Sequence, residues 1–348
     1  MRKYAIFLIP LILMSCYPTV TITMKHGVFH LSGISSEYDD YNMAAPPTFS
    51  FGSNVIFSTN RGSAGDNFDV WTGNISFECG YSSNDSISVN SDAGGPYLHK
   101  ACNSDANEFG PIVFPANRKQ DVTTDVYLFA SDREANGKLN IYFYDGLELK
   151  LFGGNDLNAD DAYPVYDYET NILYFCSNRA GNNVYNIYYY ENTNASKLDF
   201  KTWLSEPIDE GNIKKLDIVN SSGNDKFPYI HGNYMVFSSD REGGYGGYDI
   251  YYSIKTATGW GTPDNINNVI KTHEPDKFDR TYFEKMNTES DEYRPTLYES
   301  GDKFMSFTGN VSKNKILIFS SNREFLRNLP SVSKGGVDLF LSVMPEGF

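Results

Sequence analysis

The chain has 348 residues, 15% of them aromatic, and carries 44 Asp plus Glu against 29 Lys plus Arg, a formal charge of −15. So acidic a surface repels nucleic acid and anionic lipid, which excludes a nucleic-acid partner. The four cysteines form no C-x-x-C pair, which excludes a zinc ribbon or a dithiol redox motif.

Arg2 and Lys3 precede an apolar run from Ala5 to Met14, followed by Ser15 and Cys16. A positive start, a short apolar stretch and a small residue before the cut predict a signal peptide over 1–15, too short to span a bilayer. Leu13-Met14-Ser15-Cys16 resembles the lipobox of bacterial lipoproteins, with Met14 bulkier than usual, and implies lipid attachment at Cys16. The expected location is the cell envelope, most simply the outer membrane, with the lipid as membrane anchor. Cleavage would remove Arg2 and Lys3 and no acid, leaving 27 Lys plus Arg against 44 acids, a formal charge of −17. Residues 18–24, PTVTITM, alternate like a half-buried strand without a repeat of their own, and are expected to close the fold at its open edge.

The rest of the chain, 16–348, reads as a single domain built on a repeat. IFSTNR (56–61), LFASDR (128–133), YFCSNR (174–179), VFSSDR (236–241) and IFSSNR (318–323) are five copies of one phrase. Each precedes a second strand-like run: FDVW (68–71), LNIYFY (139–144), YNIYYY (185–190), YDIYYS (248–253) and VDLFLS (337–342). The Gly- and Asn-rich links between them predict hairpins. Upstream of four copies an acid stands three residues before a proline: Glu108 before Pro111, Asp161 before Pro164, Asp225 before Pro228 and Glu292 before Pro295. The first copy keeps Pro46 and Pro47 without such an acid. GWGTPDNINNVI (259–270) is a further candidate strand, echoed by Trp203 and Pro207. The units are about 40–77, 107–149, 160–216, 224–273 and 291–343. Four short strands per unit predict an all-β fold, a β-propeller of five blades. The intervals between the repeated arginines are 72, 46, 62 and 82 residues, the last wide enough for a sixth blade. Insertions at 78–106, 191–222 and 271–290 are expected to absorb the excess as polar loops.

The fourth unit, DKFPYIHGNYMVFSSDREGGYGGYDIYYS (225–253), resembles the TolB-type, WD-like β-propeller repeat, in the form found in Bacteroidetes envelope proteins. The resemblance runs from about Pro46 to Val343. It departs from the pattern at Asn140 and Asn186, which replace the motif's Asp, and in an insertion between Arg323 and Asp338. It implies that the innermost strand of each blade begins just after the acid.

Arg61, Arg133, Arg179, Arg241 and Arg323 are expected to be structural, since a guanidinium offers five fixed donors to turn carbonyls or a carboxylate. Asp69, Asp249 and Asp338 are expected to brace strand starts. Glu108, Asp161, Asp225 and Glu292 would stand one per blade near the channel mouth, as a partial ring suited to a ligand or to calcium. The alternative is that each pairs with an arginine of its own or a neighbouring blade. DLNADD (156–161) is a weak calcium-loop match, because Asp161 replaces the turn glycine. Cys79 and Cys102 are candidates for a disulfide, and Cys176 for an inert buried thiol. No G-x-S-x-G, H-E-x-x-H or phosphate loop appears, and the five histidines are scattered. The expected function is non-catalytic, a scaffold binding an envelope protein or glycan and not an enzyme. The alternative is a carbohydrate-active or peptide-active hydrolase using channel carboxylates.

Overall fold

The computed structural model describes residues 27–45, 52–79, 87–96, 101–115, 125–167, 169–192, 200–273, 285–299, 315–323, 336–345 and 348. The first strand, β1 (Gly27–His30), pairs antiparallel with the last strand of the chain. Blade 1 is β2 (Asp40–Ala44), β3 (Gly52–Thr59), β4 (Asp69–Cys79) and β5 (Ile87–Ala93). Blade 2 is β6 (Glu108–Pro115), β7 (Asp125–Ser131), β8 (Asn140–Tyr144) and β9 (Leu149–Leu151). Blade 3 is β10 (Asp161–Asp167), β11 (Ile172–Ser177), β12 (Asn186–Glu191) and β13 (Ile213–Lys215), with α1 (Phe200–Ser205) between β12 and β13 in the chain and against the outer strand of blade 2. Blade 4 is β14 (Asp225–His231), β15 (Tyr234–Ser239), β16 (Asp249–Thr256) and two short pairings, β17 (Gly259–Trp260) and β18 (Asp264–Asn265), with α2 (Asn267–His273) after it. Blade 5 is β19 (Glu292–Glu299), β20 (Lys315–Ser321) and β21 (Asp338–Val343), and β1 completes it as the outer strand.

The inner strands β2, β6, β10, β14 and β19 touch neighbour to neighbour around a ring that closes from β19 back to β2. The fold is therefore an all-β, five-bladed propeller closed by an N-terminal strand. The 82-residue interval between Arg241 and Arg323 holds β16 to β20 and α2 among its described residues, not a sixth sheet. The closing strand is Gly27–His30; residues 18–24, like Cys16, lie outside the described residues. No helix among the described residues is long and apolar enough to cross a membrane.

Each blade is sandwiched between two others, so its second strand is buried on both faces. That is why these strands read as continuous apolar runs instead of alternating: Val55 to Phe57, Leu128 to Ala130, Leu173 to Cys176, Met235 to Phe237 and Ile316 to Phe319 are all buried. The outer strand has the opposite character. The 78–106 stretch, expected as a loop, carries β5, whose residues 89–93 alternate between half-buried and exposed as a solvent-facing edge should. GWGTPDNINNVI likewise forms two two-residue pairings and the start of α2, because Gly261 and Pro263 break the ladder. Trp260 turns back to donate from Nε1 to the Tyr174 hydroxyl at 3.2 Å in blade 3, while Trp203 stacks on Tyr190. Cys102 and Cys176 are free, buried thiols, each pushed up to about 12 by burial.

Candidate functional site

The repeated residues form one device, copied five times. Each arginine donates Nε to the Ser or Thr two residues before it: Thr59, Ser131, Ser177, Ser239 and Ser321, at 3.0–3.2 Å. Its Nη2 donates both to a carbonyl of the segment entering the blade and to the blade's acid. The ion pairs are Arg133–Glu108 at 2.9 Å, Arg179–Asp161 at 2.7 Å, Arg241–Asp225 at 2.5 Å and Arg323–Glu292 at 3.0 Å. The guanidinium also lies over two rings, such as Phe237 and Tyr251 for Arg241. In the first blade Arg61 holds Asp40 in the same way. The acid of that unit is thus Asp40, with Met43 where the other blades have proline; Pro46 and Pro47 misalign it by sequence.

Four of the five acids thus stand where the sequence placed them, each drawn into its own blade by an arginine and not gathered into a ring. The carboxyls of Asp40, Glu108 and Asp161 are pushed up by burial, against the pull of the arginines and the entry-turn donors. Glu292 rises to about 7 for the same reason. DLNADD is the entry turn of blade 3, Asp156 N–H donating to Asp161 Oδ2 as Ser221 and Thr288 donate to Asp225 and Glu292. Among the described residues no group of three or more His, Cys, Asp or Glu is placed to hold a metal ion. Asp249 opens β16 fully buried, its carboxyl raised to about 6 by burial and its Oδ2 accepting from Tyr245 N–H. Asp338 opens β21 with His30 Nε2 of β1 at 3.3 Å, and Asp69 opens β4.

After each acid the inner strand bulges. The second residue on is left-handed in every blade: Asn42 (φ 59°), Gly110 (61°), Tyr163 (55°), Phe227 (61°) and Arg294 (45°). The ladder register shifts at the same place in all five. The side chains at these positions fill the channel. Tyr163 and Phe227 meet edge to face at 4.3 Å, and Arg294 reaches across to donate to the Gly110 carbonyl at 3.2 Å. The channel is therefore blocked at the end where the inner strands begin.

At the other end, where those strands finish, a cavity of about 250 Å³ opens. Its walls include Phe114, Tyr166 and Tyr229, and its polar groups are Asp167, Glu169, His231 and Glu299. Phe114 and Tyr166 lie 5.3 Å apart, and the Tyr166 hydroxyl donates to Asn171 Oδ1 at 2.8 Å, which fixes that wall. Asp167 is occupied: Oδ1 accepts from Glu169 N–H at 3.0 Å, Oδ2 from the Thr170 hydroxyl, and Lys255 Nζ stands 3.8 Å from Oδ2. Glu169 and Glu299 are exposed, and neither is in an ion pair among the described residues. His231 is held below its usual pKa by burial; the Glu299 and Glu169 carboxylates oppose that and Lys315 adds to it. A ring-lined cleft with two exposed carboxylates and a half-buried imidazole offers flat faces for stacking and groups able to move protons. Sequence reasoning missed these residues, although Asp167 and His231 each stand six positions after the repeated acid, polar ends on otherwise apolar strands.

No family model matches the chain, and no curated protein does. Among solved structures, it is similar to the catalytic domain of Coprinopsis cinerea GH62 alpha-L-arabinofuranosidase, at 11% identity and TM-score 0.47 over 93% of this chain and 98% of that one. It is also similar to the Bacteroides ovatus xyloglucan PUL GH43B, at 11% identity and TM-score 0.48 over 91% and 54%. A third is a GH43_12 retrieved from capybara gut metagenome, at 14% identity and TM-score 0.43 over 91% and 53%. The chain spans about half the length of the last two. At such identities the likeness concerns the fold alone.

These findings correct the TolB-type, WD-like resemblance: the three structures just described are named as GH43 or GH62 proteins, not as TolB-type repeat proteins. The lipoprotein and outer-membrane association that accompanied the resemblance gains no support from them. The expectation of a non-catalytic scaffold that is not an enzyme is corrected with it. The physical reason lies in the motif. The acid, the F-x-S-x-R phrase and the proline build a brace inside each blade, so they report architecture and carry no information about what the propeller acts on.

Proposed function

We propose that the chain is a carbohydrate-active hydrolase that takes a glycan into the 250 Å³ cavity at the end of the inner strands, with Glu169 and Glu299 as its acid and base. The observation that carries the reading is the contrast between two sets of carboxylates. Those of the repeat are each pinned by an arginine, a Ser or Thr and a turn N–H, and cannot exchange protons with a substrate. Glu169 and Glu299 face the cavity without such partners, beside the rings of Phe114, Tyr166 and Tyr229. The signal-like start over 1–15 supports export, so the substrate would be an extracytoplasmic glycan.

The test is hydrolysis of a panel of aryl glycosides and neutral polysaccharides by the purified protein, alongside Glu169→Gln and Glu299→Gln. Turnover of at least one substrate is expected, falling about 100-fold or more in each variant with an unchanged melting temperature. No turnover anywhere, or full turnover in both variants, would reject the reading.

A further inference from the structure

Successive side chains of a strand alternate between its faces, so the inner strands fill the channel in layers, every second residue toward the axis. The bulge layer of Gly110, Tyr163, Phe227 and Arg294 is closed: Tyr163 and Phe227 meet at 4.3 Å, and even a Cβ added at Gly110 would stand 2.6 Å from Tyr163 Cδ1. Two residues further along stand Ile112, Val165 and Tyr229, and two beyond those Phe114, Asp167 and His231, all six in the cavity wall. Blade 5 fills its own sector instead. Its Tyr298 is buried, accepts from Ala45 N–H of blade 1 at 2.7 Å and lies 5.4 Å from the Tyr229 ring of blade 4, so it reaches both neighbouring blades on the channel side. The cavity is thus an axial socket between blades 2, 3 and 4, two side-chain layers or about 7 Å along the strands, and closed beneath. Glu169, in the turn after β10, and Glu299, the last residue of β19, are exposed at its mouth.

We propose, on the footing of the hydrolase reading above, that this socket receives the end of a glycan chain, one terminal sugar deep, so that cleavage proceeds from chain ends. With the acid and base both at the mouth, the bond to be cut lies there, and everything on its inner side must fit beneath. The 250 Å³ of the cavity falls short of the roughly 300 Å³ at which pockets for drug-sized ligands begin, and the closed floor gives a longer chain no exit. A chain lying across the mouth would leave the socket empty and gain none of its contacts.

The test gives the full chain linear xylan, arabinan and mannan, with the oligosaccharides of each from disaccharide to hexasaccharide. Early digests should contain one small sugar while the remaining polymer keeps its length on size-exclusion chromatography. In Glu299→Gln, which spares the ligand, calorimetric Kd values across the oligosaccharides should agree within about threefold, because units beyond the mouth add no contact. A ladder of mixed products with rapidly shortening polymer, or binding that tightens with each added unit, would overturn the chain-end proposal and leave the hydrolase reading standing. Length-independent binding without turnover by the unaltered protein would reject the hydrolase reading and uphold the socket. Neither turnover nor binding of any of these glycans would remove both.

Discussion

The fourth residue of F-x-S-x-R alternates between Asn and Asp, and the structure explains which blade has which. Its partner is the residue just before the blade's acid: Asp39, Asn107, Asp160, Asn224 and Asp291. In every blade Oδ1 of that partner accepts an N–H from the previous blade, as Asn224 does from Tyr185 and Asp39 from Val337. Its remaining atom faces the repeat. Where the partner is Asn, its Nδ2 donates and needs a carboxylate, which Asp132 and Asp240 supply at 2.9 and 2.7 Å. Where it is Asp, its Oδ2 accepts and needs an amide, which Asn178 and Asn322 supply at 3.1 Å. In blade 1, Asn60 accepts from Asp39 N–H and sends its amide to Gly65 instead. S-D-R and S-N-R are therefore complementary halves of one pair. Asn224→Asp should set two carboxylates against each other and cost about 1 kcal/mol, the scale of an exposed charged contact. Adding Asp240→Asn should recover most of it. Urea denaturation of both single variants and the double one checks this, and additive losses in the double variant would rule the complementarity out.

At the scale of the element, the strands written in F-x-S-x-R and in the runs after it were legible because burial on both faces leaves little but apolar residues there. The bulge was not. Nothing in the sequence announces that Tyr163, Phe227 and Arg294 are left-handed, a conformation that costs an L-residue about 1–2 kcal/mol. It persists because each is held on one side by the arginine-braced acid and, in four blades, on the other by proline, which needs no ladder partner. Blade 1 hid its acid for a related reason: Met43 stands where proline marks the others, and the nearby Pro46 and Pro47 offer a false alignment. The cavity residues were hidden because a single polar end on an apolar strand resembles any strand terminus. Gly110 shows how tightly the bulges interlock. Gly110→Ala would meet both the positive φ of 61° and Tyr163 Cδ1 at 2.6 Å. A loss of about 1–3 kcal/mol is expected, read as a lower urea midpoint with an unchanged slope. A neutral Ala would mean that the channel filling is loose.

For the whole molecule, the question is what keeps a ring of five blades shut when the chain has two ends. Four joints are covalent crossovers, and each is reinforced by a hydrogen bond from the acid's own N–H to the carbonyl of the residue just before the previous blade's third strand, such as Asp225 to Tyr185 and Glu292 to Tyr248. The fifth joint has no crossover, yet Asp40 N–H donates to the Val337 carbonyl at 2.9 Å in the same manner. It also has what the others lack, the pairing of β1 with β21 from Gly27↔Val343 to His30↔Phe340. That pairing covers the edge of β21, continues in Leu31 N–H to Leu339 O at 2.9 Å, and lays Phe29 and Val28 against the core. Closing so long a loop costs entropy that no local contact repays, so the strand must contribute at global scale. Phe29→Pro removes one rung of the ladder at its centre and should lower the melting temperature of the whole domain by about 3 °C or more, in one cooperative transition. Lys150→Pro is the control, since β9 is a similarly short outer strand that follows its hairpin directly and closes nothing. Scanning calorimetry of the two variants separates the cases. Equal, small shifts in both would mean that the crossover-like bond at Asp40 holds the ring by itself and that β1 is only an edge cover.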